Sequence, residues 1–458
     1  MKKIYNNIQH TLAFLLLMIA TACEDFVTIE PPQTTLSTTT VFQDESTARA
    51  AVNRIYIDMV QFSESFCAGA TSLNNMAGLA ADELDNYSAF NEMAPFAANE
   101  LTALNVNLQA AWNQIYNLIY QANAVIEGLN KSTSIQETVK SQLIGEAKFM
   151  RAYFHLLLVS YWGDIPWVSS TDYVVNSKTT RNAASEVYQN IIADLLDAKS
   201  KLPESVTLKI RPTKIAAAAM LARVYLYTQN YAAAETEATE VIANAPLEAD
   251  LNNVFLIGST EIVFQLQSVI PRISSWDGNT YILRSAPTVV ALTNMFMQAF
   301  EPGDLRMQAW TKSYTDGSDT WYHPFKYKVR RLPQDTSPKT EFQVLIRSGE
   351  LYLIRAEARA NLNNIVGAAE DLNAIRSRAG LVASAASDKS TMLLAIENER
   401  RFELFTENGH RWLDLKRTGR LDAVIGTTKA NWQVTDALFP IPQTERNRNA
   451  NLSQNPGY

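Results

Sequence analysis

From Lys214 to Pro246 the chain reads KIAAAAMLARVYLYTQNYAAAETEATEVIANAP, two runs of strong helix formers parted at Asn230-Tyr231 and stopped by the proline. Small residues on both runs let the helices approach closely, and Tyr225 fills the space beside them. A hairpin of two such helices cannot hold a core alone, so other helices must stack on it. The chain has the material: 458 residues, 47% of them hydrophobic.

Ala222, Tyr225, Ala234, Ala238 and Pro246 fall at the small, aromatic and terminating positions of the roughly 34-residue tetratricopeptide repeat. A second pair, Glu350 to Gly380 (ELYLIRAEARANLNNIVGAAEDLNAIRSRAG), has Ala356, Ala368 and Leu372 in corresponding places and Gly380 as its C-cap. Two imperfect copies are fewer than a solenoid needs. Long helical patterns over 108–129, 138–161 and 184–201 supply further pairs. The expected fold class is all-α, with repeat-like pairs near 108–161, 184–246 and 350–380 and few short strands. Length alone admits two domains or one large helical assembly.

Between roughly Leu247 and Lys339 the pattern changes. EIVFQLQ (261–267) alternates like a strand, and the rest is broken by Pro271, Asp277-Gly278, Pro302-Gly303, Asp316-Gly317 and Pro324. An irregular insertion of this length within a helical frame tends to carry function, because the frame positions its loops. The stretch from Ser63 to Asn99, rich in Asn, Asp and Ala, reads as a second such region.

The N-terminus is an address. Met1-Lys2-Lys3 gives a positive start, LAFLLLMIA (12–20) is an unbroken apolar run, and Ala20-Thr21-Ala22 puts small residues just before Cys23. As a helix that run reaches only about 14 Å, too short for a hydrocarbon core of about 30 Å. Ala-x-Ala satisfies ordinary signal peptidase, whereas a Cys directly after a small residue satisfies the lipoprotein pathway; Ala20 departs from the Leu more usual there. The acidic, Pro- and Thr-rich stretch that follows (EDFVTIEPPQTTLSTTT) has the composition of a tether and favours lipidation of Cys23. The expected division is a signal peptide over 1–22, a lipidated N-terminus and tether over 23–40, and a folded domain over 41–458.

Losing residues 1–22 takes Lys2 and Lys3 and no acid, moving the formal charge from -7 to -9, which does not favour nucleic acid. The four histidines, His10, His155, His323 and His410, are scattered without metal-ligand spacing, so no metal and no cofactor is expected. Cys67, left without a partner if Cys23 carries lipid, reads as a small buried hydrophobe.

Three segments carry more than periodicity: RAYFHLLLVSYWGDIPW (151–167), RRFELFTENGHRWLDLKRTGR (400–420) and LFPIPQTERNRNANLSQNPGY (438–458). In that order, behind the start CEDFVTIEPP, they closely resemble the signature blocks of the SusD/RagB family of outer-membrane nutrient-binding lipoproteins, over essentially the whole mature chain. The resemblance implies one α-helical domain on tetratricopeptide-like pairs, lipid-anchored at the cell surface. It also implies a lid on a SusC-like TonB-dependent transporter that receives oligosaccharides, or peptides in some branches. Physically the blocks read as scaffold: Phe154, Leu158, Tyr161, Phe402, Phe405, Trp412 and Leu415 are core candidates. Arg400, Arg401, Arg411, Glu403 and Asp414 are expected to pair where they are partly buried.

A sugar presents flat C–H faces ringed by hydroxyls, so its site needs aromatic faces edged by amides and carboxylates. Trp162, Trp167 and Trp412 belong to signature blocks, Trp112 to an apolar helix and Trp432 lies near the C-terminal block. That leaves Trp276, Trp310 and Trp321 in the insertion. Trp310 reads as core. Trp276 with Asp277, Asn279 and Tyr281, and Trp321 with Tyr322, are candidate ligand contacts; each tryptophan either faces a ligand or plugs its loop to the core. Asp82, Asp85, Asn86 and Tyr87 form a second cluster, placed by region, with a solvated acidic face as the alternative for Asp82 and Asp85. No nucleophile elbow, P-loop or dinucleotide fingerprint appears, so the expectation is a binder rather than an enzyme, with a structural adaptor as a third class.

Overall fold

The computed structural model describes residues 38–458 apart from 63–64 and 90–91. The signal sequence, Cys23 and the tether up to residue 37 lie outside the described residues. Helices of two turns or more are α1 (Glu45–Val60), α2 (Leu73–Ala80), α3 (Val106–Lys131), α4 (Glu137–Trp162), α5 (Ala184–Lys201), α6 (Lys214–Tyr227), α7 (Tyr231–Asn244), α8 (Ser348–Asn361), α9 (Ile365–Arg378), α10 (Lys389–Glu403) and α11 (His410–Arg417). The strands are β1 (Leu84–Asn86), β2 (Ile262–Leu266), β3 (Val290–Leu292), β4 (Thr311–Asp316), β5 (Asp319–Pro324) and β6 (Gln343–Arg347). The fold is mostly helical, and no helix among the described residues is long and apolar enough to cross a membrane.

The helices stack nearly in chain order: α3 on α4, α4 on α5, α5 on α6, α6 on α7, α7 on α8, α8 on α9 and α10. The insertion leaves after α7 and returns through β6 so that α8 still packs on α7. The two repeat-like pairs share one turn. Gln229 and Asn363 take left-handed backbone (φ 59° and 64°), and the next residues, Asn230 and Asn364, cap Ala233 and Gly367 with their side-chain oxygens at 3.4 and 3.0 Å. In both turns an asparagine offers the capping oxygen, and in the second an asparagine also takes the left-handed position, so QNY and NNI each end one helix and start the next. Gly380, at φ 74° just past α9, lets the Leu381 N–H reach back to the Arg376 carbonyl at 2.9 Å.

The insertion is more ordered than its composition suggests. Polar caps start three short helices in it: Ser275 before Trp276–Tyr281, Thr293 before Asn294–Gln298 and Asp304 before Leu305–Trp310. β2 pairs antiparallel with β6, and both are buried along their length instead of alternating. The Ser63–Asn99 region, expected as a loop, holds α2, β1 and a short helix over Ala94–Ala98.

The signature blocks meet as scaffold. The Trp162 indole donates to the Pro440 carbonyl at 3.0 Å, Tyr161 stacks on Phe439 at 5.3 Å, and the Asn455 amide donates to the Trp162 and Phe439 carbonyls at 2.9 and 2.8 Å. Their charges are buried and matched: Arg400 pairs with Asp414 at 2.6 Å, and Arg347 bridges Glu261, Glu403 and Glu407 at 2.6, 2.5 and 2.8 Å. Trp310 is fully buried and donates to the Leu251 carbonyl at 2.8 Å. His410 is buried too, and desolvation pushes its pKa down to about 4, so it is a neutral core residue at pH 7.

Candidate functional site: an aromatic sheet face

A four-stranded antiparallel sheet, in the order β1-β3-β5-β4, joins the two regions expected to carry ligand contacts. Leu84 faces Leu292, Leu292 faces Tyr322 and Tyr322 faces Ser313 across it. Because side chains alternate along a strand, that row and its neighbours Asn86 and Val290 point to one side. Leu84, Val290 and Leu292 are buried there, and half-buried Tyr322 packs against the core. The other side carries Asp85, Tyr87, Lys312, Tyr314, Trp321 and His323.

Tyr314 and Trp321 are direct cross-strand partners, both half-buried. Tyr87 extends β1 by donating its N–H to the Val289 carbonyl at 2.9 Å, is 39% exposed, and has the Trp321 indole beside its hydroxyl. Partial burial, with the charge of Asp85 added, raises the Tyr87 pKa despite the opposing influence of Trp321, so the hydroxyl stays protonated. Asp85 is exposed, its carboxyl raised by partial desolvation and lowered by Lys429. The Lys312 amine lies over the Phe325 ring at 3.9 Å, and His323 is buried with Nδ1 against the Pro324 carbonyl at 3.0 Å. Three aromatic rings edged by a carboxylate and an ammonium suit a ligand with apolar faces and hydroxyl rims.

Several expected contacts lie elsewhere. Asp82 is buried: Arg411 grips both of its oxygens at 2.8 and 3.0 Å and Arg401 adds a contact at 2.8 Å. Burial alone would raise its pKa, but the two guanidinium groups hold it below the ordinary value. Tyr281 is buried between Asn75, to which it donates at 2.6 Å, and Asn74, from which it accepts at 2.7 Å. Asp277 is buried, accepting from Gln343 at 2.7 Å and from the Gly69 N–H at 3.4 Å, and desolvation pushes it up to about 7. These three side chains are spent inside the fold and are corrected from ligand contacts to structural groups. Trp276 is the plug of its alternative reading: half-buried, it donates to the Val60 carbonyl at 2.7 Å. Asn279 is half-buried on the short Trp276–Tyr281 helix, and Asn86 turns its oxygen to the Ser88 N–H at 3.1 Å. Tyr322 faces the core side, so the structure unites only Asp85, Tyr87 and Trp321 of the expected set.

Tyr314 and Lys312 escaped the sequence reading. The signal was present: TKSYTDGSDTWYHP alternates on both sides of an Asp-Gly turn, a hairpin signature. Two larger clefts, of about 400 and 470 Å³, lie on the helical side. Arg417 in their shared wall is already paired with Glu357 and Asp414, so that wall is spoken for by internal ion pairs.

Residues 44–226 match a family described as starch-binding and associating with the outer membrane, and residues 268–458 match the SusD family. A SusD-like protein, P2 of Formosa agariphila, is 29% identical over 97% of this chain and 98% of its own length. A SusD superfamily protein from Bacteroides vulgatus superposes with a TM-score of 0.81 at 21% identity, covering 92% of this chain and all of that one. A laminarin-binding SusD-like protein superposes at 0.78 with 22% identity, over 91% of this chain and 100% of its own. Two family matches on either side of the insertion, full-length relatives and the shared fold agree: the chain belongs to the SusD/RagB family.

Proposed function

We propose that this chain is a carbohydrate-binding protein, lipid-anchored at the outer membrane through Cys23, that captures oligosaccharides and delivers them to a SusC-like TonB-dependent transporter. The observation that carries the binding step is the sheet face on which Tyr314, Trp321 and Tyr87 meet. Ring faces stack on sugar C–H faces, while Asp85 and Lys312 accept from and donate to the hydroxyls at the rim. The family match and the laminarin-binding structural relative support the ligand class.

Titration of the mature chain with a panel of laminari-, malto- and other oligosaccharides tests it. Trp321→Ala and Tyr314→Ala each weaken binding by about 1 kcal/mol or more, roughly fivefold or greater. Trp276→Ala, which removes a plug instead of a contact, changes affinity little once folding is matched. Unchanged affinity in both sheet variants moves the site elsewhere, and binding of peptides in place of every sugar replaces the ligand class. Release of reducing ends by the purified chain would make it an enzyme. Loss of membrane association in Cys23→Ser checks the anchor.

A further inference from the structure

The larger cleft of the helical side, about 470 Å³, lies between the last turn of α4, the start of α5, the end of α6 and α11. Val159, Leu413 and Leu438 make its walls apolar, and Lys416 of α11 is set among them, half-buried. The Lys416 amine donates to the Ser160 carbonyl in the last turn of α4 at 2.5 Å. Among the described residues no carboxylate pairs with it.

The other charged groups of the cleft are committed. Arg417 is held by Glu357 and Asp414. Arg181 donates to the Asp164 and Ser453 carbonyls at 2.7 and 3.3 Å, and the Asp164 carboxylate accepts the Ala184 N–H at 2.8 Å. Lys416 is therefore left with a cavity on one side and a neutral carbonyl on the other. That carbonyl accepts from an amine as well as from an ammonium, so the bond does not require the charge. Burial without a counter-charge disfavours the ammonium and pushes the Lys416 pKa down to about 7.

Two phenols share the space. Tyr188 and Tyr227 line the cleft, and the Tyr227 hydroxyl is buried without a hydrogen-bond partner among the described residues. Burial raises the pKa of each, so both stay protonated and able to donate. A nucleophilic nitrogen for a carbonyl carbon, a donor for its oxygen and apolar walls against competing water form a site for a carbonyl compound.

We propose that Lys416 is a carbonyl-capture site, whose amine forms a reversible imine with small aldehydes, open-chain aldoses among them, that enter the cleft beside Tyr188 and Tyr227. The nitrogen lone pair forms the new bond to the aldehyde carbon, and the carbonyl π pair moves to oxygen. Both amine protons then leave with that oxygen as one water while the C=N bond forms. No oxidant or reductant is consumed. The Tyr227 hydroxyl is the donor nearest to hand for the departing oxygen within the cleft.

Reductive trapping tests it. The mature chain is incubated at pH 7 with glyceraldehyde and sodium cyanoborohydride, which fixes an imine as a secondary amine, and modified lysines are mapped by peptide mass spectrometry. Lys416 is modified at least about tenfold faster than the exposed Lys131 and Lys178, and its rate levels off above about pH 8 while theirs keeps rising. Denaturing the chain first abolishes the preference. Lys416→Arg, which keeps a donor for the Ser160 carbonyl, removes the fast site and leaves Lys131 and Lys178 as they were. Should that variant not fold, the comparison among lysines of the natural chain decides alone. Modification of Lys416 no faster than that of Lys131 and Lys178 overturns the proposal and leaves the amine as a cap on α4. A preference that survives denaturation overturns it too, because the cleft then plays no part.

Discussion

Asp277 is an acid without a nearby cation in a protein that matches nearly every other buried charge. Its carboxyl titrates at about 7 in the fold against about 4 in the open chain, because burial disfavours its charged form. Glu83 behaves alike, also raised by burial to about 7 with the Asp82 charge added. The sign follows from linkage: the contribution of a raised acid is whole below about pH 4 and is lost as pH rises through 7. Asp277→Asn therefore raises the thermal midpoint by a few degrees at pH 8, with the gain opening between pH 4 and 7 and level above, as calorimetry across that range would show. The Gln343 side-chain oxygen has no hydrogen-bond partner, so a flipped Gln343 amide can accept from the introduced carboxamide N–H. At this scale the sequence misled where it was richest in polar residues. Asp-Gly-Asn-Thr-Tyr looked like a ligand-facing turn, but the Ser275 cap made it a helix and folded Asp277 and Tyr281 inward. Nothing local distinguishes a buried polar cluster from an exposed one, since the partners Asn74, Asn75 and Gln343 are remote in sequence.

At the scale of elements, α1 and α10 were not singled out, whereas α3 to α9 were legible to within a few residues. Their formers, caps and breakers act within one or two turns, as the Asn230 and Asn364 turns demonstrate. The four-stranded sheet was not, because β1 and β3 are three residues each and acquire their identity only from each other. One contact between elements is sharply constrained: a Cβ at Gly128 would overlap the Phe42 ring. Gly128→Val should therefore loosen the first described segment from α3, costing about 1–3 kcal/mol despite removing a helical glycine. The expected signature is a lower thermal midpoint with faster exchange over residues 40–50; unchanged exchange there would show that Phe42 swings aside freely.

For the whole molecule, the buried ion network is the joint. Glu261 precedes β2, Arg347 ends β6, Arg378 closes α9 and Glu403 closes α10, so one cluster ties the insertion to the repeat-like frame. Glu403→Gln leaves three guanidinium groups, those of Arg306, Arg347 and Arg378, short of a counter-charge, a loss of about 3–5 kcal/mol expected for breaking a buried pair, readable by chemical denaturation. Its carboxyl, like that of Glu350 at about 2, is held low: burial would raise both, but the arginines beside them prevail. Stability from these groups is present above about pH 4.5 and is lost progressively as pH falls toward 2. The signature blocks made this frame recognisable in the sequence, whereas the assignment of each partner needed the structure.

The aromatic face is stitched from opposite parts of the chain, with β1 near residue 85 and β3 near residue 291. Closing so large a loop is among the costlier events in folding, and its reward arrives only when both strands are docked. Tyr87 meets Trp321 only after that closure, so a nascent or partly folded chain has no assembled ligand face to offer. Competence to hold a ligand is then also a report that the longest-range pairing in the sheet has formed.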